Sequence, residues 1–145
     1  MRRFGEPVKS GQKYILRPGV YAVLPREGSM LVTHQMHPYT EVQLPGGGID
    51  PGESPLQALH REVLEETGWR IAPRRRLGAF RRFTFMPEYE IWAEKLCHIY
   101  LAQPVRKLAD PTEPFHTALW MPSEDAVEEL GNAGDRHFAA SWLNG

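Results

Sequence analysis

The chain has 145 residues, of which 41% are hydrophobic and 24% are charged. These values are typical of a globular protein, and the length suits one domain, so we interpret residues 1–145 as a single domain. The formal net charge is −1. Since no overall positive potential attracts a polyanion, we do not expect nucleic acid or an anionic membrane as a partner.

The single cysteine, Cys97, excludes an internal disulfide and favours a reducing compartment. It lies in an apolar segment, so we expect a buried, unreactive thiol. The N-terminus is polar and carries no signal-peptide pattern, and no apolar stretch approaches the roughly 20 residues needed to cross a bilayer. We therefore expect a cytoplasmic protein with no membrane association; the sequence leaves the oligomeric state open.

The first half of the chain alternates short β-type runs with turn residues. Residues 1–13 are polar and suggest an irregular N-terminal arm. Residues 21–24 and 30–32 are β-type runs separated by a turn-forming segment, which predicts a hairpin. Residues 41–44 alternate polar and apolar and predict a short strand that ends at Pro45.

A helix is predicted between Ser54 and Gly68, with signals at both ends. Ser54 can serve as the N-cap, Pro55 suits the first helical position, and Gln57 completes a Ser-x-x-Gln capping box. Gly68 suits the left-handed residue that follows a helix.

Beyond this helix, the pattern predicts two strands, a short third strand, a second helix and a final helical segment. They occupy residues 76–85, 92–102, 119–121, 123–130 and 138–143. The first two strands would be joined by a turn near Pro87. Strands and helices that alternate in this way predict a mixed α/β sandwich.

Three carboxylates share one face of the predicted helix. At 100° per residue, Glu62, Glu65 and Glu66 fall within an arc of about 100°, with Glu62 and Glu66 nearest the core and Glu65 nearer solvent. An apolar stripe runs beside them, formed by Leu56, Leu59 and Val63. Crowded oxygen ligands suit Mg²⁺ or Mn²⁺ better than zinc. A solvated acidic face with an ordinary Arg61–Glu65 pair is the alternative.

The spacing of fixed residues from Gly47 to Trp69 adds to this interpretation. Gly47, Glu53, the pair Arg61-Glu62, the pair Glu65-Glu66 and Gly68 stand at the intervals Gly-x5-Glu-x7-Arg-Glu-U-x-Glu-Glu-x-Gly-U, where U is a bulky apolar residue. This pattern resembles the signature of the Nudix hydrolases, with Trp69 in a position that is usually aliphatic. The resemblance implies a Nudix-type α/β/α sandwich with a mixed central sheet.

The resemblance also implies roles for individual residues. Glu62, Glu65, Glu66 and the Gly46 carbonyl would bind divalent metal ions, Mg²⁺ or Mn²⁺. Arg61 would orient a glutamate, and Gly47 and Glu53 would support the loop and helix geometry. Members of the family cleave diphosphate linkages in nucleoside-diphosphate compounds by attack of water at phosphorus.

Outside the signature, the candidate residues come from single positions in the chain and not from a motif. We expect Glu113 to supply a further metal ligand or general base, with Glu88, Glu90 and Glu94 as alternatives. For substrate binding we consider the basic residues Arg17, Arg81 and Arg82 and the aromatic residues Phe83, Phe85 and Tyr89, although salt bridges or core packing would equally explain them. Val42 stands where many family members carry tryptophan, so aromatic stacking is not expected there.

These observations support one leading hypothesis and two alternatives. The leading hypothesis is metal-dependent hydrolysis of a small nucleotide, with a canonical or oxidised nucleoside triphosphate preferred to ADP-ribose. Removal of pyrophosphate from RNA 5′ ends would require a wider basic surface. A catalytically silent ligand sensor would be expected to show a broken signature, whereas here the acidic set is intact.

Overall fold

The helix α1, Pro55–Thr67, begins and ends where the sequence predicts. In this computed structural model, which describes residues 1–145, the Ser54 side chain accepts a hydrogen bond from the Gln57 backbone N–H at 3.2 Å. The Gln57 side chain in turn accepts a hydrogen bond from the Ser54 backbone N–H at 2.8 Å. Gly68 adopts φ 77°, and its N–H donates to the Leu64 carbonyl. The local capping chemistry therefore fixes both ends of this helix.

Nine strands and two further helices complete the fold. The strands are β1 Arg2–Gly5, β2 Ile15–Val23, β3 Pro25–Arg26, β4 Ser29–Gln35, β5 Glu41–Gln43, β6 Gly46–Gly48, β7 Trp69–Met86, β8 Ile91–Lys107 and β9 His116–Pro122. The helices are α2 Ser123–Glu129 and α3 Ala133–Asn144. None of the helices is long and apolar enough to span a membrane.

The larger sheet has the strand order β1-β7-β8-β2-β6 and is mixed. Strand β1 pairs with β7 in parallel, and β2 pairs with β8 in parallel, whereas β7–β8 and β2–β6 are antiparallel. Because β6 lies at the edge of this sheet, the glycines that precede α1 are held against β2. The mixed central sheet predicted from the sequence is confirmed.

The smaller sheet is built around β4, which pairs with β9 along one edge and with β3 and β5 along the other. Here the predicted hairpin of residues 21–24 and 30–32 is only partly correct. The turn exists, and the Leu31 N–H donates to the Leu24 carbonyl at 3.0 Å. However, the chain leaves the larger sheet after β2 and enters the smaller one at β3, so the two runs belong to different sheets.

Two apolar cores lie on opposite faces of the larger sheet, because side chains alternate along a strand. Val20 and Ala22 of β2 pack towards α1, beside Leu59 and Val63. Val23 of the same strand packs with residues of the other core, which include Ala126 and Leu130 of the α2 region and Ala139 of α3. The sheet thus separates α1 from α2 and α3, which confirms the predicted α/β/α sandwich.

Several boundaries differ from the prediction. The N-terminal arm is not wholly irregular, since Arg2–Gly5 form the edge strand β1, a short basic segment without an alternating pattern. Strands β7 and β8 extend further than predicted and contain three register irregularities, which interrupt the hydrophobic period. Helix α3 starts at Ala133, where Asn132 caps it by accepting from the Asp135 N–H at 2.8 Å.

Candidate active site

The three glutamates of α1 differ in burial as the helix geometry predicts. The side chain of Glu66 is 7% exposed, that of Glu62 15% and that of Glu65 37%. Val63 lies in the core, as predicted, whereas Leu56 is 41% exposed. Leu56 belongs to the first turn at the edge of the stripe and does not reach the sheet. The prediction was therefore right for the carboxylates and wrong for Leu56.

The Glu66 carboxylate is fixed by partners from two strands. Its Oε1 accepts a hydrogen bond from the Gly46 backbone N–H at 2.9 Å. Its Oε2 lies 3.3 Å from Nε2 of His116, the first residue of β9. Burial raises the pKa of Glu66 well above its ordinary value, although the bond from Gly46 opposes this shift. The site thus holds a buried carboxylate whose charged form is disfavoured unless a cation is near.

Glycine is required where the edge strand β6 meets α1. A Cβ at Gly46, which has φ 152°, would collide with the backbone of Val20 and Tyr21, and a Cβ at Gly47 would collide with the Glu62 carboxylate. The absence of side chains on β6 therefore lets backbone and carboxylates approach one another closely. Burial in this crowded place raises the pKa of Glu62 from 4.5 to about 7, against the opposing effect of Arg61.

Arg61 joins the loop that precedes α1 to the acidic face of the helix. Its guanidinium donates to Glu53 at 2.7 and 2.8 Å, to Glu62 at 2.9 Å and to the Gly48 carbonyl at 3.0 Å. A longer contact of 3.4 Å reaches Glu65. The bond from Arg61 is the main reason why the pKa of Glu53 falls from 4.5 to about 2. Arg61 thus bonds to the loop, to Glu53 and to Glu62 through one guanidinium.

A polar cavity of about 240 Å³ opens beside this acidic face. It is lined by six carboxylates and only two basic side chains, with histidine, amide, glycine, thiol and phenol groups between them. The acidic residues are Glu41, Glu62, Glu66, Glu88, Glu113 and Asp135; the basic ones are Arg82 and Lys95. A second hollow of about 250 Å³ adjoins it, shares Glu62 and Tyr89 with it, and adds Arg17. The cavity is thus acidic at its centre.

Glu113 lies in the cavity together with one of its alternatives. Its backbone N–H donates to the Glu65 carbonyl at 3.0 Å, which ties the preceding loop to α1. Glu88 also lines the cavity, whereas Glu90 and Glu94 do not. Glu94 instead lies 3.5 Å from Arg81.

The candidate substrate-binding residues separate into two groups. Arg82 and Tyr89 line the cavity, and the Arg17 guanidinium lies over the Tyr89 ring at 4.5 Å. Arg81 and Phe83 do not line it: Arg81 pairs with Glu94, and Phe83 is 7% exposed and packs edge-on against Tyr14. Successive side chains along β7 point to opposite faces of the sheet. Arg81, Phe83 and Phe85 therefore share the face opposite to Arg82, which is why Arg82 lines the cavity and they do not.

Several residues of the cavity were not anticipated from the sequence as site residues, including four charged or polar ones from the second half of the chain. His116, Lys95, Asn132 and Asp135 belong to β9, β8 and the start of α3. Asp135 is 3% exposed, and burial raises its pKa from 3.8 to about 6. Only the Asn-x-x-Asp spacing, a helix-capping pattern, could have drawn attention to the last two. Cys97 also borders the cavity, and burial raises its pKa to about 12, which agrees with the buried thiol expected.

A larger cavity, of about 700 Å³, lies elsewhere, beside Arg74, Gln103 and Trp142. Glu27 is its only acidic lining residue, and none of the signature residues borders it. Volume alone therefore does not single out a candidate site, and the convergence of carboxylates makes the smaller cavity the candidate.

The fold and the acidic centre agree with the family comparison. The family model described as NUDIX domain matches residues 14–142. The chain therefore belongs to the Nudix family, as the spacing of its signature indicated.

Similar solved structures support the fold, at low sequence identity. A NUDIX hydrolase from Nitrosomonas europaea has a TM-score of 0.74 and 20% identity, over 90% of each chain. A MutT protein from Methanosarcina mazei Go1 has a TM-score of 0.71 and 22% identity, over 92% of this chain and 97% of that one.

Curated relatives are similar over shorter regions and have different names. A Bacillus subtilis protein provisionally named 8-oxo-dGTP diphosphatase is 32% identical over 74 residues, 51% of this chain and 50% of that protein. A Helicobacter pylori RNA pyrophosphohydrolase is 42% identical over 57 residues, 36% of this chain and 37% of that protein. The matches thus span half or less of these relatives.

Proposed function

We propose that this chain is a metal-dependent pyrophosphohydrolase that cleaves a diphosphate linkage in a small nucleotide. The observation that carries the proposal is the acidic cavity, in which six carboxylates face two basic side chains beside the glycine strand. A diphosphate could not enter such a cavity unless bound cations offset the repulsion between the negative charges.

The available donors fit Mg²⁺ or Mn²⁺. Glu62 and Glu66 offer carboxylate oxygens at the centre of the cavity, with Glu65, Glu113 and the Gly46 carbonyl as further proposed ligands. No group of three or more acidic, histidine or cysteine side chains is arranged to hold a metal ion by itself. That suits Mg²⁺, which usually keeps several water ligands and is bound by one or two carboxylates together with substrate phosphates.

Each group would have a distinct part in hydrolysis. The bound metal would neutralise phosphate oxygens and lower the pKa of a water molecule. Arg61 would hold Glu62 in place while remaining bonded to Glu53. Glu113, on a loop anchored to α1, is our choice for a further ligand or for the general base that takes the proton from the attacking water.

The shape and charge of the cavity favour a small nucleotide. Arg17, Arg82 and Lys95 form no salt bridges, so they are available to phosphate groups. Tyr89 is 55% exposed beside them and offers an aromatic surface. We therefore prefer a nucleoside triphosphate, canonical or oxidised, to ADP-ribose, and both to RNA.

RNA 5′-end pyrophosphohydrolysis is the second candidate, and one observation favours it. Three cation–aromatic pairs involve the N-terminal segment: Arg3 over Phe83, Lys9 over Trp92 and Arg17 over Tyr89. Basic and aromatic side chains in alternation are typical of surfaces that bind single-stranded nucleic acid. Phe83 is buried, however, so the stacking surface is small.

A substrate panel tests these proposals directly. The protein is incubated with nucleoside triphosphates, 8-oxo-dGTP, ADP-ribose and a 5′-triphosphorylated RNA oligonucleotide, each with Mg²⁺, Mn²⁺ or EDTA. We expect hydrolysis only with metal, and the highest kcat/KM for a triphosphate. A kcat/KM for ADP-ribose or RNA about tenfold above every triphosphate would reverse the order. Binding of the panel compounds without any turnover would instead support a ligand sensor.

A further inference from the structure

His116 lies next to the buried glutamate of the acidic face, at a point where both of its ring nitrogens have partners. Its side chain is 12% exposed. Its Nδ1 lies 3.0 Å from the Pro114 carbonyl oxygen. A carbonyl oxygen only accepts hydrogen bonds, so Nδ1 carries the hydrogen of this bond. The ring orientation is thereby fixed, and Nε2 faces Glu66 Oε2 at 3.3 Å.

The backbone around His116 is itself held in place. His116 pairs with Gln35 in the β4–β9 ladder, and the Met36 N–H donates to the Phe115 carbonyl at 2.8 Å. The imidazole therefore projects from a hydrogen-bonded strand and not from a free loop. Its position relative to α1 is set by the packing of the smaller sheet.

Glu66 consequently has one oxygen bonded to β6 and the other in contact with β9. Each carboxylate oxygen can accept more than one bond, so lone pairs remain for a metal ion. For Glu62 the fixing partner is Arg61, a residue of the signature, whereas for Glu66 it comes from outside the signature. Partners of this kind determine how a ligand carboxylate is oriented.

We propose that His116 is a positioning residue that orients Glu66 for metal binding, an inference that rests on the proposed metal-dependent function. It is not a general base, since Nδ1 is engaged by Pro114 and Nε2 by Glu66. Because Nδ1 donates to Pro114, Nε2 can donate to Glu66 only in the doubly protonated imidazolium, and in that form neither nitrogen has a lone pair to take a proton from a water molecule. Without His116, Oε2 of Glu66 loses its partner and the carboxylate group can rotate. The proposed metal site is then weakened, although no ligand is removed.

The test measures Mn²⁺ affinity by electron paramagnetic resonance, without substrate, in the whole 145-residue chain. We expect His116→Ala to weaken Mn²⁺ binding by about tenfold or more, the range found when such partners are removed. His116→Gln should recover much of the affinity, because its amide N–H can donate to Glu66. His34→Ala removes a half-buried histidine from the neighbouring strand β4 and serves as the matched control.

Thermal unfolding of the same variants separates positioning from a general structural role. His116→Ala with wild-type Mn²⁺ affinity would overturn the inference, as would a loss of affinity equal to that of His34→Ala.

Glu66→Gln is measured in parallel. If Glu66→Gln loses Mn²⁺ binding and His116→Ala does not, only this inference fails. If Glu66→Gln also binds normally, the proposed metal site fails, and this inference fails with it. In steady-state assays, His116→Ala should raise the Mn²⁺ concentration needed for half-maximal rate more than it lowers kcat at saturating metal.

Discussion

The glycine strand and α1 differ from the rest of the cavity wall in how their charged groups are bonded. In the first region a single guanidinium, that of Arg61, bonds to Glu53, to Glu62 and to the Gly48 carbonyl within 3.0 Å. The second region consists of β7, β8, their connecting turn, Arg17 of β2 and the start of β9, and in it Arg17, Arg82 and Lys95 form no salt bridge. The first region is organised in advance, as a metal site requires. The second leaves its cations available, as a substrate-binding surface requires.

The strongest test of this comparison is removal of charge from the first region. We expect Glu62→Gln and Glu66→Gln each to lower turnover on the order of 100-fold or more, because each takes a ligand charge from the proposed metal site. Stability should hold or rise, since repulsion between buried carboxylates is relieved. Steady-state kinetics and thermal unfolding measure both effects.

Two further variants serve as controls for this test. Glu65→Gln should have a smaller effect because its side chain is 37% exposed. Glu128→Gln, on the exposed face of α2, should have none. Wild-type turnover by Glu62→Gln at ordinary Mg²⁺ concentrations would remove the basis for the proposed metal site.

The loop between the two regions provides the next test. We expect Glu113→Gln to lower kcat roughly tenfold, as a supporting ligand or general base would. Glu90→Gln and Glu94→Gln should retain activity because neither side chain lines the cavity. Glu88 is the direct competitor, so a greater loss in Glu88→Gln than in Glu113→Gln would transfer the role to Glu88. A metal-bound structure with Glu113 turned away from Glu62 and Glu66 would also contradict the prediction.

The same comparison explains which parts of the structure could be predicted from the sequence. The first region is local in sequence: the caps at Ser54 and Gly68, the helical period and the signature spacing all lie within one segment. Their combined pattern predicted α1, its buried carboxylates and the family. The exposed Leu56 is an exception, because burial at the end of a helix depends on what packs against it.

The second region depends on contacts between distant segments. Lys95 reaches the cavity because β8 pairs with β7 in a register that sets Arg82 opposite Lys95. His116 reaches Glu66 because β9 pairs with β4 in another sheet. Neither register can be deduced from a local pattern, since a shift of one residue reverses the faces of a strand. For that reason the sequence could not distinguish Arg82 from Arg81, or identify His116.

The pH dependence of stability sharpens the description of the first region. Glu62 has a pKa raised from 4.5 to about 7, so the native state binds more protons than the unfolded state between these values. In metal-free protein the contribution of Glu62 to stability should therefore be fully present below about pH 4.5 and be lost as the pH rises towards 7. Asp135, raised from 3.8 to about 6, contributes in the same direction.

Thermal unfolding in EDTA from pH 5 upwards measures this dependence. That range excludes Glu53, whose lowered pKa has the opposite effect at lower pH. Glu62→Gln should make the decline of stability with rising pH shallower. An equally steep decline in the variant would show that Glu62 does not titrate in this range.

The smallest expected effect concerns the exposed aromatic residue of the second region. Tyr89 is 55% exposed and lies beneath the Arg17 guanidinium, so the two side chains form one surface beside the acidic centre. We expect Tyr89→Ala to raise KM about two- to fivefold with little change in kcat, as loss of an exposed stacking contact would. Tyr89→Phe should keep the ring and the wild-type KM. Phe85→Ala is the matched control, because Phe85 is 41% exposed on the same strand pair and does not line the cavity.

The double variant Arg17→Ala/Tyr89→Ala tests whether these two residues act together. If Arg17 binds phosphate only when it is stacked on Tyr89, the double variant should raise KM by no more than the larger single effect. Strictly additive effects would show two independent contacts. Unchanged KM in both single variants would place substrate binding elsewhere in the cavity, and Arg82 and Lys95 would then be the cations to replace next. The effect of Arg17→Ala should also weaken as salt concentration rises, since an exposed cation that binds phosphate is screened.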